Sequence, residues 1–223
     1  MPVRAFSEIR HGDALAILRT LPTHSAHLLL CDPPYKALEK HRAHGTTTRY
    51  KDRWFDTLED AQIGAILQEC YRVLVPGAHA YVFCNYDALF GMWPQMRDAG
   101  FAMRSEPLVW KKNRIGMGYH YRGKYELILM GTKGEGRATK DPELPDVIDG
   151  KRITGAYPTE KPVEVLRALV QQSTRPGELV IDPFCGSGAT GEAALACGCA
   201  FIGIDTSEEA VSLSRARLTA TAV

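Results

Sequence analysis

The sequence predicts an α/β fold, in which a doubly wound sheet of parallel strands is flanked by helices. Short apolar runs such as His27–Cys31 and Leu179–Asp182 indicate buried strands. Amphipathic segments such as Pro162–Gln172 lie between strands and indicate helices. The 223 residues contain no internal repeat, long linker or low-complexity tract, so we expect a single domain over residues 1–223.

Seven strands and six helices are predicted, each from its local pattern. The first strand ends at Gly12-Asp13, and the second is cut off by Asp32-Pro33-Pro34. A capping-type pattern begins the second helix at Thr57-Leu58-Glu59-Asp60, and we expect Pro76-Gly77 to end it. The strands are expected at 7–11, 27–31, 80–84, 101–111, 125–131, 179–182 and 201–205. The helices are expected at 14–20, 57–74, 86–99, 162–172, 189–196 and 207–220.

Three segments lack a periodic apolar pattern and are predicted to be loops or short insertions, at about 36–56, 112–124 and 132–156. Residues 36–54 hold six basic and two acidic side chains, a net charge of +4; residues 104–125 hold six and one, a net charge of +5. Aromatic rings among these charges suit a polyanion with exposed bases, although a solvated loop has a similar composition. The candidate nucleic-acid contacts are Lys36, Arg49, Arg53, Lys111, Lys112, Arg114 and Arg122.

The overall composition is that of an ordinary globular protein, with 45% hydrophobic residues, 24% charged residues and a net charge of +1. No apolar run approaches the roughly 20 residues needed to cross a bilayer. The first eight residues lack the apolar core of a signal peptide, so we expect a cytoplasmic protein with no membrane partner. None of the six cysteines forms a Cys-x-x-Cys pair, which favours buried reduced thiols over a metal site.

The motif Asp32-Pro33-Pro34-Tyr35 suits a site for an amino group attached to a flat ring. Such an amine is a poor nucleophile, and it needs acceptors that hold its hydrogens as charge develops on nitrogen. Asp32 supplies a carboxylate, and Pro33 supplies a carbonyl whose direction is restricted by the proline that follows. Tyr35 supplies a ring face for a base. A simple strand-to-loop corner is the alternative, but the position after a buried strand favours a site.

A second motif, Asp182-Pro183-Phe184-Cys185-Gly186-Ser187-Gly188, joins a buried strand to a helix through a glycine-rich turn that lets the backbone approach a ligand. The next strand ends at Asp205, where a carboxylate can accept hydrogen bonds from ribose hydroxyls. The spacing Gly186-x-Gly188-x-x-Gly191 also matches a dinucleotide fingerprint. S-adenosylmethionine is favoured over NAD because Asp-Pro-Phe-Cys separates the strand from the first glycine. In addition, the Asp32 motif has no use in hydride transfer.

Together the motifs resemble the permuted amino-group DNA methyltransferases of the β group, in which the catalytic motif, the recognition region and the cofactor motif follow in that order. Asp32–Tyr35 is similar to their catalytic motif, and Phe184–Gly188 is similar to their Phe-x-Gly-x-Gly cofactor motif. Tyr157–Pro162 is similar to the element that completes the methionine pocket, and Gly12-Asp13 to the element near the adenosyl ring. The resemblance covers nearly the whole chain, and such enzymes occur in restriction–modification systems.

The resemblance implies a Rossmann-like S-adenosylmethionine-dependent methyltransferase fold with circularly permuted motif order and a seven-stranded, mostly parallel sheet that has one antiparallel strand. It implies that the recognition region lies at about residues 132–156; because this stretch is short, reading of the DNA sequence could fall partly to residues 114–124, to the basic loop at 36–56 or to a second subunit. It also implies that the target base is flipped out of double-stranded DNA and that the chain can form a homodimer. Asp32 in the first motif position favours adenine N6, with cytosine N4 left open. The implied catalytic residues are Asp32, Pro33, Pro34 and Tyr35. The implied cofactor contacts are Asp13, Lys161, Asp182, Pro183, Phe184, Cys185, Gly186, Ser187, Gly188, Thr190 and Asp205.

Three alternatives remain at this point. The substrate amine could belong to RNA or to a protein amide, the chain could be a decayed methylase that only binds DNA, or it could be a nicotinamide-dependent oxidoreductase. The intact motifs and their order favour DNA methylation over all three.

Overall fold

The computed structural model describes residues 6–36, 57–116, 120–153, 157 and 159–221. They form one mixed sheet with helices on both faces. The strands are β1 (Ser7–His11), β2 (Ala26–Cys31), β3 (Leu74–Cys84), β4 (Ala102–Met103), β5 (Leu108–Lys112), β6 (Tyr125–Thr132), β7 (Val147–Gly150), β8 (Leu179–Asp182) and β9 (Ala200–Asp205). The helices are α1 (Ala14–Thr20), α2 (Asp60–Val73), α3 (Tyr86–Asp98), α4 (Val163–Ser173), α5 (Ala189–Ala196) and α6 (Glu208–Thr221).

The sheet order is β1-β9-β8-β2-β3-β6-β5-β7, and β4 also pairs with β6. Strand β6 runs antiparallel to β3, β4 and β5, whereas the pairs β1–β9, β8–β9, β2–β8, β2–β3 and β5–β7 are parallel. One strand of the described sheet therefore opposes all the others. The predicted α/β fold with a mostly parallel sheet is confirmed.

The expected number of seven strands is wrong, because the described sheet has nine. The predicted strand at 101–111 is divided into β4 and β5 by residues 104–107, where Pro107 has no N–H to donate to a ladder. The segment 132–156 is not entirely a loop, because Val147–Gly150 forms β7 alongside β5. Four residues are too few to show a period, and this short strand lies at the edge of the sheet.

The end of α2 also differs from the expectation. The helix ends at Val73 and the chain enters β3 at once, so Pro76-Gly77 lies inside the strand. The side chain of Lys133 caps the C-terminal end of the helix: its ammonium group donates to the carbonyl oxygens of Tyr71 (2.6 Å), Arg72 (3.1 Å) and Leu74 (2.8 Å). These carbonyls have no partner within the helix, so a cation is well placed there.

Two apolar cores lie on opposite faces of the sheet. Helices α1, α2 and α3 contribute Leu18, Leu67 and Met96 to one core, and α4, α5 and α6 contribute residues such as Leu169 and Leu218 to the other. All six cysteine thiols are unpaired, and five of them are buried. Within the described part of the chain, no helix is both long and apolar enough to span a bilayer.

Candidate active site

A cavity of about 760 Å³ lies at the carboxyl ends of β1, β9, β8 and β2, which are neighbours in the sheet. Each of these strands is followed by one of the predicted motifs, so the topology brings together segments that are far apart in sequence. The predicted residues that line the cavity are Asp13, Asp32, Pro33, Pro34, Lys161, Asp182, Pro183, Phe184, Cys185, Gly186, Ser187, Thr190 and Asp205. Of the predicted catalytic and cofactor-binding residues, Tyr35 and Gly188 do not line the cavity.

The glycine-rich turn after β8 is held by hydrogen bonds that join its backbone to β9 and α6. The Cys185 N–H donates to the Ile204 carbonyl (2.9 Å), and the Ser214 hydroxyl donates to the Gly186 carbonyl (2.7 Å). Gly186 and Gly188 have φ angles of +49° and +79°, which side chains disfavour. A Cβ on Gly186 would lie 3.0 Å from the Tyr157 ring, and one on Gly188 would lie 2.9 Å from the Ser214 hydroxyl. Gly188 therefore serves to pack the turn against α6.

Asp205 links the two loops at the β8–β9 side of the cavity. One carboxylate oxygen accepts from the Gly186 N–H and the other accepts from the Ser207 N–H, each at 2.9 Å. Each oxygen retains a further lone pair, so the carboxylate can still accept from a ligand hydroxyl. Asp13 follows the neighbouring strand β1, where the Gly12 N–H donates to the Asp205 carbonyl (3.0 Å), and it caps α1 by accepting from the Ala16 N–H (2.8 Å).

Asp182 is a buried carboxyl group, only 3% exposed. Burial, with a smaller contribution from the nearby Asp32 and Asp205 carboxylates, raises the pKa of Asp182 to about 7, against hydrogen bonds from Thr190 and from the Phe184 N–H that lower it. The Phe184 N–H donates to Asp182 Oδ1 at 3.0 Å. A buried, high-pKa carboxyl facing a cavity is typical of a site for a cationic ligand group, which would restore its charge.

The corner after β2 exposes acceptors to the cavity. Asp32 is half-buried, and its Oδ2 accepts from the Lys161 ammonium group. The Pro33 carbonyl accepts from the Tyr35 N–H (2.9 Å) and has a second lone pair for another donor. The Tyr35 ring is 7% exposed, and its hydroxyl accepts from the Asn85 N–H (3.0 Å). In this structure Tyr35 therefore links the segment after β2 to Asn85, the residue that follows β3. The stacking of its ring on a base stays a prediction.

Lys161 connects Asp32 to two residues whose part in the site was not predicted. Glu126 on β6 lies 3.4 Å from the Lys161 ammonium, and its other oxygen accepts from Lys112 at 2.6 Å. Burial by itself would lower the pKa of Lys161, but Asp32 and Glu126 outweigh this effect and raise it. Similarly, the two lysines outweigh burial and lower the pKa of Glu126. The sequence signal for a role of Glu126 in the site is its charge within the otherwise apolar strand Tyr125–Thr132.

Arg217 on α6 is a further residue that sequence reasoning missed. Its guanidinium group donates to Glu160 (2.6 Å) and to the Ser187 hydroxyl (3.2 Å), and it lies 3.4 Å from Glu192. Glu160 and Ser187 line the cavity from different segments. Arg217 therefore joins the loop before α4 to the glycine-rich turn.

The predicted nucleic-acid contacts fall into three groups. Lys36, Lys111, Arg114 and Arg122 are exposed. Both neighbouring lysines are ion-paired, Lys112 with Glu126 and Lys111 with Asp149, but the Lys112 side chain points inward and is 17% exposed, against 52% for Lys111. Lys112 is therefore a poorer candidate for a phosphate contact than Lys111. Arg49 and Arg53 lie outside the described residues.

Solved structures share this fold. The M1.HpyAVI–SAM complex superposes with a TM-score of 0.73 at 22% identity, covering 96% of this chain and 99% of that one. The cytosine-N4-specific PvuII DNA methyltransferase superposes with a TM-score of 0.73 at 15% identity, covering 99% of this chain and 92% of that one. These likenesses confirm the predicted methyltransferase fold.

Sequence comparison identifies the family. A family model described as DNA methylase matches residues 135–216. YubD of Escherichia coli K12, named as a methylase, is 32% identical over 217 residues, which cover 96% of this chain and 91% of YubD. The DNA adenine methyltransferase YhdJ of the same strain is 30% identical over 248 residues, covering 94% of this chain and 82% of YhdJ. The resemblance predicted from the motifs is confirmed, and the chain belongs to the DNA methylase family.

Proposed function

We propose that this protein transfers a methyl group from S-adenosylmethionine to the N6 amine of adenine in double-stranded DNA. The proposal rests on one observation: the Asp32 and Pro33 acceptors and the glycine-rich turn line the same cavity. The choice of adenine is supported by the aspartate in the first motif position and by the similarity to YhdJ, which is named a DNA adenine methyltransferase.

The residues around the cavity fit this cofactor. S-adenosylmethionine, when bound, supplies an electrophilic methyl group on a sulfonium centre. Carboxylates at Asp13, Asp32, Asp182 and Asp205 surround the cavity and complement a ligand with cationic sulfonium and ammonium groups. Gly186 lines the cavity without a side chain, so a ligand can approach its backbone closely. Asp205 has lone pairs for ribose hydroxyls.

Asp32 and the Pro33 carbonyl act on the base amine. They accept its two hydrogens, orient its nitrogen lone pair toward the cavity and stabilise the positive charge that develops on nitrogen. The surplus proton leaves through Asp32 or directly to solvent. A base within a duplex cannot reach an acceptor at the wall of a cavity, so the target base has to be flipped out. Lys36, Lys111, Arg114 and Arg122 are proposed to hold the phosphates.

The test is methyl transfer by purified protein from labelled S-adenosylmethionine to duplex DNA, followed by analysis of the nucleosides. N6-methyladenine supports the proposal, whereas N4-methylcytosine alone refutes the choice of base. Label in RNA or protein, but not in DNA, refutes the choice of substrate. DNA binding without methyl transfer would identify a binding module.

The variant Asp32→Ala separates catalysis from cofactor binding. We expect transfer to fall at least about 1000-fold, because a principal acceptor is lost, while calorimetry still detects S-adenosylmethionine binding. Loss of both together, with a lowered melting temperature, would show instead that Asp32 supports the fold. A homodimer, expected from the family resemblance, is tested separately by sedimentation with and without DNA.

A further inference from the structure

Four alternating charges form a chain that leads away from the amine acceptors. Asp32 Oδ2 pairs with Lys161, Lys161 lies 3.4 Å from Glu126 Oε2, and Glu126 Oε1 accepts from Lys112 at 2.6 Å. We call these residues the carboxylate–lysine chain. The exposed fractions of its side chains run from 11% for Lys161 to 27% for Asp32, so every member is partly shielded from bulk water. Its two negative and two positive charges cancel.

The antiparallel direction of β6 places Glu126 in this chain. Strands β2, β3 and β5 end at the cavity side of the sheet, and β6 begins there, so its second residue faces the site. Aromatic rings support both ammonium groups: Lys161 Nζ lies 5.3 Å from the Phe83 ring centroid, and Lys112 Nζ lies 4.9 Å from that of Trp110. Both lysines are thus confined by a ring and by Glu126.

This arrangement determines which oxygen of Asp32 is available. Lys161 occupies Oδ2, and within the described part of the chain no hydrogen bond reaches Oδ1. Oδ1 therefore has all of its lone pairs open to a base amine, whereas Oδ2 already uses one on Lys161. The position of Lys161 in turn depends on Glu126, because an ammonium group shared between two carboxylates has less freedom than one held by Asp32 alone.

We propose that Glu126 is a positioning residue for methyl transfer, and that Lys112 supports it. Glu126 holds Lys161 on one oxygen of Asp32, which keeps the other oxygen directed at the amine. The inference rests on the proposed function. It gives Lys112 a structural task inside the site, in place of the phosphate contact expected from its basic surroundings.

The first experiment compares Glu126→Gln with wild-type protein in steady-state methyl transfer to duplex DNA. Misplacement of a reacting group by about 1 Å can cost roughly 100-fold, so we expect kcat to fall by about that factor. The KM for DNA and the Kd for S-adenosylmethionine are expected to stay within about twofold, because Glu126 does not line the cavity. Glu143→Gln, which changes an exposed carboxylate, is the matched control and should match wild type. An unchanged kcat in Glu126→Gln overturns the proposal.

A double variant separates positioning from loss of stability. Glu126→Gln leaves an excess positive charge in a shielded site and can destabilise the fold. Combining it with Lys112→Gln restores the balance of charges. If Glu126 positions Lys161, the double variant melts close to wild type and remains as slow as Glu126→Gln. Recovery of kcat together with stability would overturn the proposal.

Two adjacent lysines provide a second contrast. Lys111 is 52% exposed and Lys112 is 17% exposed, since successive strand residues face opposite ways. Lys112→Met is expected to lower kcat with little change in the KM for DNA. Lys111→Met is expected to raise the KM for DNA and weaken its salt dependence. The reverse pattern would return Lys112 to the phosphate contacts and contradict the proposal.

Nitrogen NMR of lysine ammonium groups tests the chain without any reaction. Ammonium groups held by carboxylates exchange slowly with water, so ligand-free protein should show signals from Lys161 and Lys112, assigned with single Lys→Met variants. Glu126→Gln should remove the Lys112 signal and shift that of Lys161. Unaltered signals would overturn the inference whatever the substrate, whereas wild-type protein that shows the signals but methylates no DNA would refute the proposed function.

Discussion

Wild-type protein is expected to lose unfolding free energy as the pH rises from 5 to 8, and replacing Asp182 by asparagine is expected to remove the part of this loss that Asp182 causes. The pKa of Asp182 is about 7 in the folded chain, against 3.8 for an unperturbed aspartate. Each pKa unit corresponds to about 1.36 kcal/mol, so the folded state binds this proton more tightly than the unfolded state by roughly 4 kcal/mol. A raised carboxyl pKa stabilises the protonated fold at low pH, and this contribution disappears as the pH rises toward 7. Between pH 5 and pH 8 the expected loss is roughly 2.5 kcal/mol.

The assay is urea unfolding of ligand-free protein at pH 5 and pH 8. Other titrating groups are common to wild type and Asp182→Asn, so the difference between their pH dependences isolates Asp182. The variant should lose roughly 2.5 kcal/mol less than wild type over this interval. Asp98→Asn, which changes an exposed carboxylate, serves as the control and should follow wild type. Equal pH dependence of wild type and Asp182→Asn would refute the claim that a neutral, buried carboxyl lines the ligand-free cavity.

Three further substitutions test other parts of the structure. Lys133→Met leaves three carbonyls at the end of α2 without their cation, so urea unfolding should show a loss of roughly 2–3 kcal/mol, against little change for the exposed Lys140→Met. Gly186→Ala places a Cβ against Tyr157 at positive φ, and calorimetry should show S-adenosylmethionine binding weakened by about tenfold or more; unchanged affinity would contradict the role of the turn. Arg217→Met should weaken the same binding by about fivefold, because two loops lose their shared partner, while the exposed Arg167→Met should not; equal affinities would show that Arg217 acts elsewhere.

Most of the fold was predictable because each major strand and helix has its own apolar pattern. The predicted helix at 189–196 and strand at 201–205 lie within one residue of α5 and β9. Strand β7 was missed because it has four residues and owes its place to pairing with β5 and to the Gly150 carbonyl, which accepts from the Trp110 indole N–H (3.1 Å). Such a strand is determined by tertiary contacts, which no local period records.

The parts of the site that consist of contiguous motifs could be predicted from the sequence. The residues that strand pairing brings to the site could not. Asp32 and the turn from Asp182 to Gly186 line one cavity, as their positions after parallel strands predicted. Glu126 and Lys112 are brought to Lys161 by strand register, since Glu126 lies opposite Trp110 in the β5–β6 ladder. From sequence alone Lys112 is indistinguishable from its exposed neighbour Lys111, because the face of a strand is known only once its partner is known.

The Asp205 carboxylate accepts hydrogen bonds from two backbone N–H groups, and these bonds affect both the rate and the affinity of cofactor binding. With the Gly186 and Ser207 amides already immobilised on one carboxylate, neither loop has to be ordered when a nucleoside arrives. The conformational entropy of these two loops is lost when the protein folds and not when the cofactor binds. More of the contact energy therefore appears as affinity, and binding needs no slow rearrangement of the loops beforehand. The same two bonds also tie cofactor affinity to the local stability of the loops that follow β8 and β9.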